Sequence, residues 1–155
     1  VKRYNVSLRF DVVQEDMFQS DELTRAGQPH EVAAYMRGAF DFNPQAESFW
    51  VLLLNRKNVC LGRQCVTVGT ATAALAHPRE VFRAAILHCA AAIVCVHNHP
   101  SGDPTPSAAD MQITRQLKEA ARTVDIHFLD HVIIGDAKAD PLGRGFFSFR
   151  AGGYL

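Results

Sequence analysis

Two histidines, His97 and His99, stand two residues apart at the end of the apolar run Ala91 to Val96. Side chains on a strand alternate between faces with a period of two, so both imidazoles point to one side. Two neutral imidazoles converging on one point suit zinc, which takes about three protein ligands in a catalytic site and keeps one position for water. The third ligand must come from elsewhere, and Asp110, in the first turn of the helix that follows, is the obvious candidate. Ser107-x-x-Asp110 also has the spacing of a capping box, in which a serine and an acid three positions on satisfy helix amides. Asp103, in the loop between, is a reserve ligand if Asp110 proves to be only a cap.

Other metal motifs are absent. There is no HExxH, and no His-x-Glu with Pro-Cys-x-x-Cys, the signature of zinc deaminases. His127 and His131 share a strand face, but four residues along a strand place their side chains roughly 13 Å apart, too far for one ion. His131, beside Asp130, can instead orient a ligand from behind. His77, next to Pro78, reads as local structure. The four cysteines, Cys60, Cys65, Cys89 and Cys95, match neither a zinc ribbon nor a CxxC pair. They are expected to be free and reduced, with Cys89 and Cys95 buried in apolar surroundings.

The elements that must position these residues follow from periodicity and punctuation. Val6 to Val13 alternates like an edge strand, and the polar segment to Gln28 reads as a connecting arm, so the chain divides into an arm, 1–28, and a domain, 29–155. Pro29 opens a helix carrying Val32, Ala33, Tyr35, Met36 and Phe40, which Asn43-Pro44 stops. Ser48 to Leu54 and Val59 to Val68 form a hairpin about the turn Asn55 to Asn58. Pro78 opens a second helix, with Val81, Phe82, Ala85, Ile86 and Cys89 on its apolar face. Ala91 to Val96 is a buried strand, and three prolines and a glycine make 97–106 a loop. A helix after Ser107 buries Ile113, Leu117, Ala120, Ala121 and Val124, and strand-like segments at Ile126 to Ile134 and Phe146 to Phe149 complete the chain. Alternating strands and helices predict an α/β domain, a mixed sheet with helices packed on it. Ligands in such folds sit in the loops after the strands, and the Pro-rich loop follows the most buried strand.

At this point the residues resemble a known family. His97-Asn98-His99-Pro100, the stretch to Pro106 and Ser107-x-x-Asp110 are similar to the JAMM (MPN+) metalloprotease motif. The fuller run 97–110, with His77-Pro78-Arg79-Glu80-Val81 upstream and Asp130-His131-Val132-Ile133-Ile134-Gly135 downstream, resembles the RadC-like branch, over Glu47 to Phe149. The resemblance implies a mixed β-sheet flanked by helices in the JAMM/MPN (cytidine-deaminase-like) architecture. It also implies a Zn2+ cofactor on His97, His99 and Asp110, with Glu47 taking a proton from the water that zinc activates and Ser107 steadying the developing oxyanion. Glu47 comes from the resemblance alone, because an acid ahead of a buried strand is ordinarily a solvated strand end. Glu22, Glu31 and Glu80 fit the position less well. The allocation is chemically coherent: zinc brings its water's pKa to about 7 and polarises a carbonyl, and a nearby carboxylate can carry the proton to a leaving amine.

The expected function is a metallopeptidase or isopeptidase acting on a protein or peptide substrate. Two alternatives stand beside it. One is a DNA-repair-associated module, since RadC-like proteins carry that label; the other is a non-catalytic, metal-stabilised interaction domain, as in metal-free relatives of the superfamily. Sixteen basic residues balance sixteen acidic ones, so this domain alone lacks the field that draws proteins to nucleic acid. The basic cluster Arg56, Lys57 and Arg63 reads as a solvated turn. No apolar run approaches the about 20 residues that span a bilayer, and no signal peptide opens the chain, so a cytoplasmic protein with no membrane association is expected. The first residue is Val1, not Met, which suggests an upstream region. A monomer or weak dimer is expected.

Overall fold

The computed structural model describes residues 25–69 and 76–155. The strand expected at Val6 to Val13 and most of the arm after it lie outside these residues. The elements are α1 (Pro29–Tyr35), β1 (Glu47–Leu54), β2 (Cys60–Gly69), α2 (Pro78–Leu87), β3 (Ala92–Asn98), α3 (Ala108–Val124), β4 (His127–Ile134) and β5 (Phe146–Ser148). The five strands form one sheet in the order β2-β1-β3-β4-β5. β3 and β4 run parallel, joined by α3 as the crossover, and the other pairs are antiparallel. This is the mixed α/β sheet with packed helices that the pattern of elements predicts.

β3 is the central strand and each of its residues is buried. A strand covered on both faces needs apolar side chains on both, which is why Leu52 to Leu54 and Ala92 to Val96 show no polar alternation. One face packs Phe49, Val51, Leu53, Ile93 and Cys95 against Val81, Phe82 and Ala85 of α2 and Ile113, Leu117 and Ala121 of α3. The opposite face packs Leu52, Leu54, Val94, Val96 and Val132 against Val32 of α1 and the Met36 and Ala39 that follow it. Each large apolar side chain so buried contributes about 1.5–3 kcal/mol.

The β1–β2 hairpin closes through Asn55, whose Oδ1 accepts from the amides of Lys57 (2.8 Å) and Val59 (3.1 Å). Asn58 sits there at φ 58°, a conformation asparagine tolerates. Arg56 and Lys57 are exposed turn residues. Arg63 is structural: it donates to the carbonyl of Tyr35 at 2.6 Å and lies over the rings of Tyr35 and Trp50.

Some expectations fail at helix ends. α1 stops at Tyr35 instead of reaching Phe40, because Met36 caps it and Gly38 turns the chain at φ 77°. α2 ends at Leu87, so the helical period no longer governs Cys89, which turns at φ 51° and is exposed rather than buried. Ile86 is 57% exposed, and Ala84 takes its place on the buried stripe. Val124 is the last residue of α3 and is exposed, since the chain departs at Asp125 in the left-handed conformation. Cys95 is buried as expected, and burial pushes its thiol pKa up. No helix among the described residues is long and apolar enough to cross a membrane.

Candidate metal centre

The β1–β3 register sets Phe49 opposite His97. By the period of two, Glu47 then shares the face of Phe49, and Cys95 and His97 lie on that same face. The rings of Phe49 and His97 stack at 5.9 Å, with His97 fully buried. His99 lies just past the end of β3, where its amide donates to the carbonyl of Ile134 at 2.9 Å. Its ring comes to 5.0 Å from that of His97, and the two Nε2 atoms are 3.1 Å apart.

Asp110 arrives from α3. Its Oδ1 lies 3.2 Å from His97 Nε2 and its Oδ2 3.4 Å from His99 Nε2. The loop between is folded back as three prolines and a glycine suggest: Gly102, at φ 84°, donates to His99 O, and its own carbonyl accepts from the amide of Asp136 at 2.7 Å. Gly135 must be glycine for space, since a Cβ there would overlap the carbonyl oxygen of Gly102.

His97, His99 and Asp110 are the one group of three or more His, Cys, Asp or Glu among the described residues whose ligand atoms converge, all within 4.8 Å. The protonation of the site shows what it is built to hold. His99 Nδ1 lies 2.8 Å from the carbonyl of Asp103, an acceptor only, so Nδ1 carries the proton and Nε2 presents a lone pair. That lone pair faces another imidazole nitrogen and a buried carboxylate at 3.1–3.4 Å. Such a set of donors repels itself unless a positive charge lies among them, and imidazole with carboxylate is a donor set that suits zinc. The residues therefore fit a divalent cation. Without one, a proton is the alternative: burial lowers the pKa of His99, but Asp110, the carbonyl of Asp103 and the charge of Glu47 outweigh it and raise it above its ordinary value. Burial likewise pushes Asp110 upward, yet the two imidazoles and Ser107 hold it well below the usual carboxylate range.

Asp110 is a cap as well as a candidate ligand. Ser107 donates its amide and its hydroxyl to Asp110 Oδ2, both at 2.7 Å, and its Oγ accepts from the amide of Asp110 at 3.2 Å. The capping box thus leaves Oδ1 facing His97. The hydroxyl proton of Ser107 is committed to Asp110, where the sequence suggested an oxyanion donor. Asp103 is not a side-chain ligand, because its carboxylate is taken up by the amide and hydroxyl of Thr105. Glu47, the first residue of β1, brings Oε1 to 4.0 Å from His97 Nε2. Burial raises its pKa, and the Asp110 carboxylate adds to this against the lowering effect of the two histidines.

Two residues escaped the sequence reading. Asn98, between the histidines, faces away from them and accepts from the amide of Ser48 at 2.8 Å while donating to the carbonyl of Ala46 at 3.0 Å. It grips β1 on both sides of Glu47. Thr114, buried one turn beyond Asp110 in α3, bonds both Asp110 O and His131. His131 does touch the site, with Nε2 2.9 Å from His97 Nδ1, whereas Asp130 bonds backbone amides and Ser148 Oγ instead of the His131 ring. His127 is exposed and takes no part, and His77 caps α2 by accepting from the amide of Arg79.

A mixed sheet with a His-x-His pair at the end of its central strand and an acid on the crossover helix describes a class of JAB-type domains. The family model described as RadC-like JAB domain matches residues 26–154, and the chain belongs to that family. Among its relatives, a UPF0758 protein of Symbiobacterium thermophilum is 50% identical over 109 residues, 70% of this chain and 44% of that protein. A UPF0758 protein of Geobacillus thermodenitrificans is 44% identical over 127 residues, 82% of this chain and 53% of that protein. A third, from Bacillus cereus, is 47% identical over 110 residues, 71% of this chain and 48% of that protein. The chain spans about half the length of these curated relatives.

Proposed function

We propose that this domain is a zinc-dependent hydrolase that cleaves an amide bond in a protein or peptide, as a metallopeptidase or isopeptidase. The observation that carries this reading is Glu47, a partly exposed carboxylate 4.0 Å from His97 Nε2, beside three converging ligand atoms. A purely structural metal site has no need of a free acid at that place, which weighs against the non-catalytic alternative.

When bound by His97, His99 and Asp110, zinc supplies a Lewis acid for a carbonyl and brings the pKa of water to about 7. Glu47 accepts a proton at its carboxylate and returns it to the departing amine. Asn98 fixes the backbone on either side of Glu47, and Ser107 holds the orientation of Asp110. For Ser107 to meet a developing oxyanion, its hydroxyl must leave Asp110 Oδ2.

The test is Glu47→Gln, which keeps size and hydrogen bonding but cannot take the proton. Wild type and variant are each expected to hold about one zinc per chain by mass spectrometry, with only the variant losing turnover on a panel of fluorogenic peptides and isopeptide-linked substrates. Persistent turnover would remove Glu47 from its role, and a wild type that takes up no zinc at neutral pH would overturn the hydrolase.

A further inference from the structure

Behind His97 runs a buried chain of hydrogen bonds: His97 Nδ1 to His131 Nε2 (2.9 Å), His131 Nδ1 to Thr114 Oγ1 (2.7 Å), and Thr114 Oγ1 to the carbonyl of Asp110 (2.6 Å). The chain ends on a group that can only accept. Thr114 has one hydroxyl proton, and a carbonyl oxygen 2.6 Å away must receive it. Thr114 Oγ1 can then only accept from His131, so His131 carries its proton on Nδ1. A neutral imidazole has one N–H, which leaves His131 Nε2 as an acceptor for His97 Nδ1–H. His97 Nε2 is left with a lone pair turned toward His99 and Asp110.

We infer that Thr114 and His131 are positioning residues that fix the tautomer of His97, so that the Asp110 main-chain carbonyl dictates from three bonds away that His97 offers Nε2 to the metal. This rests on the metal-binding part of the reading above and deepens it. His131 is packed among rings: it stacks on Phe149 at 4.8 Å and lies 5.4 Å from Phe49. Asp110 acts twice, as a ligand through its carboxylate and as the orienting end of the relay through its carbonyl. His99 obtains the same tautomer in one step from the carbonyl of Asp103. Partners that orient a metal-bound histidine are typically worth about 10–100-fold in metal affinity.

Thr114→Val keeps the shape but removes both the donor to Asp110 and the acceptor for His131. In chelator competition it is expected to bind zinc about 10–100-fold more weakly than the wild type, with Thr114→Ser, which retains the hydroxyl, restoring most of the loss. Imidazole nitrogen NMR of the zinc-free wild type at neutral pH is expected to show His131 protonated on Nδ1 and bare on Nε2. A folded Thr114→Val with wild-type affinity would overturn the relay, and so would a proton on His131 Nε2. If Thr114→Val fails to fold, the wild-type spectrum decides by itself. A wild type that binds zinc and shows the expected tautomer but cleaves no substrate refutes the hydrolase and leaves the relay intact, whereas one that binds no zinc overturns both.

Discussion

Asn98 separates two histidines whose chemistry depends on its pointing the other way. Its side chain spans from Ser48 N to Ala46 O, so Asn98→Ala removes the partner of a buried amide and of a part-buried carbonyl. Urea denaturation is expected to show a loss of about 1–3 kcal/mol, the cost of an unsatisfied buried group, while metal content is retained. His97→Ala and Asp110→Ala are each expected to abolish metal binding, read by mass spectrometry after purification without added metal. The sequence displayed the histidines because their spacing is local and their chemistry narrow. It was silent on Asn98 and Thr114 because both act across pairings between elements: Asn98 reaches β1, and Thr114 reaches β4, neither of which leaves a trace in local spacing. Glu47 was invisible for the same reason, and only the family resemblance supplied it.

The helix start at Ser107 shows how one local pattern can carry two tasks. A cap requires an acid three residues on, and a ligand requires an acid near the histidines; the turn of α3 meets both with Asp110. Spacing could not choose between those readings because both hold. Ser107→Ala is expected to lower stability by about 1 kcal/mol in thermal unfolding, the usual worth of a cap, and to weaken zinc binding because Asp110 Oδ2 loses the hydroxyl donor and keeps only the main-chain amide. The helix ends were less legible, since Met36, His88 and Asp125 cap their helices with no Gly or Pro at the cap to announce the end. Between β4 and β5 the chain is gathered by the Asp140 carboxylate, which accepts from the amides of Leu142, Arg144 and Gly145. These bonds, first that from Leu142, lower its pKa below the ordinary value. A lowered acid stabilises the fold above its unfolded pKa of about 3.9 and ceases to as pH falls through the folded value. Hydrogen exchange at those three amides is therefore expected to lose protection as pH drops below about 3.9, relative to the core of β3. Asp140→Asn is expected to show the weaker protection already at neutral pH.

For the molecule as a whole, sheet order and the pairing of faces follow from continuous apolar strands and right-sized helices, which is why the α/β class was readable and the order β2-β1-β3-β4-β5 was not. The loop after β3 is locked to the neighbouring loop after β4 where Gly102 meets Gly135. Gly135→Ala forces these backbones apart and is expected to cost about 1–3 kcal/mol in denaturant unfolding, with weaker metal binding because His99 is anchored to Ile134 and Asp103 on either side of that contact. The residues of the candidate site are also graded in exposure: the side chain of His97 is 0% exposed, Asp110 2%, His99 16% and Glu47 25%. An ion bound there would therefore arrive past Glu47 and His99, meeting the exposed edge of the site before its buried pair, and would leave the same way. In the hydrolase proposed above, substrate would share that doorway and cover the metal behind it, so a chelator is expected to strip the ion no faster than substrate departs.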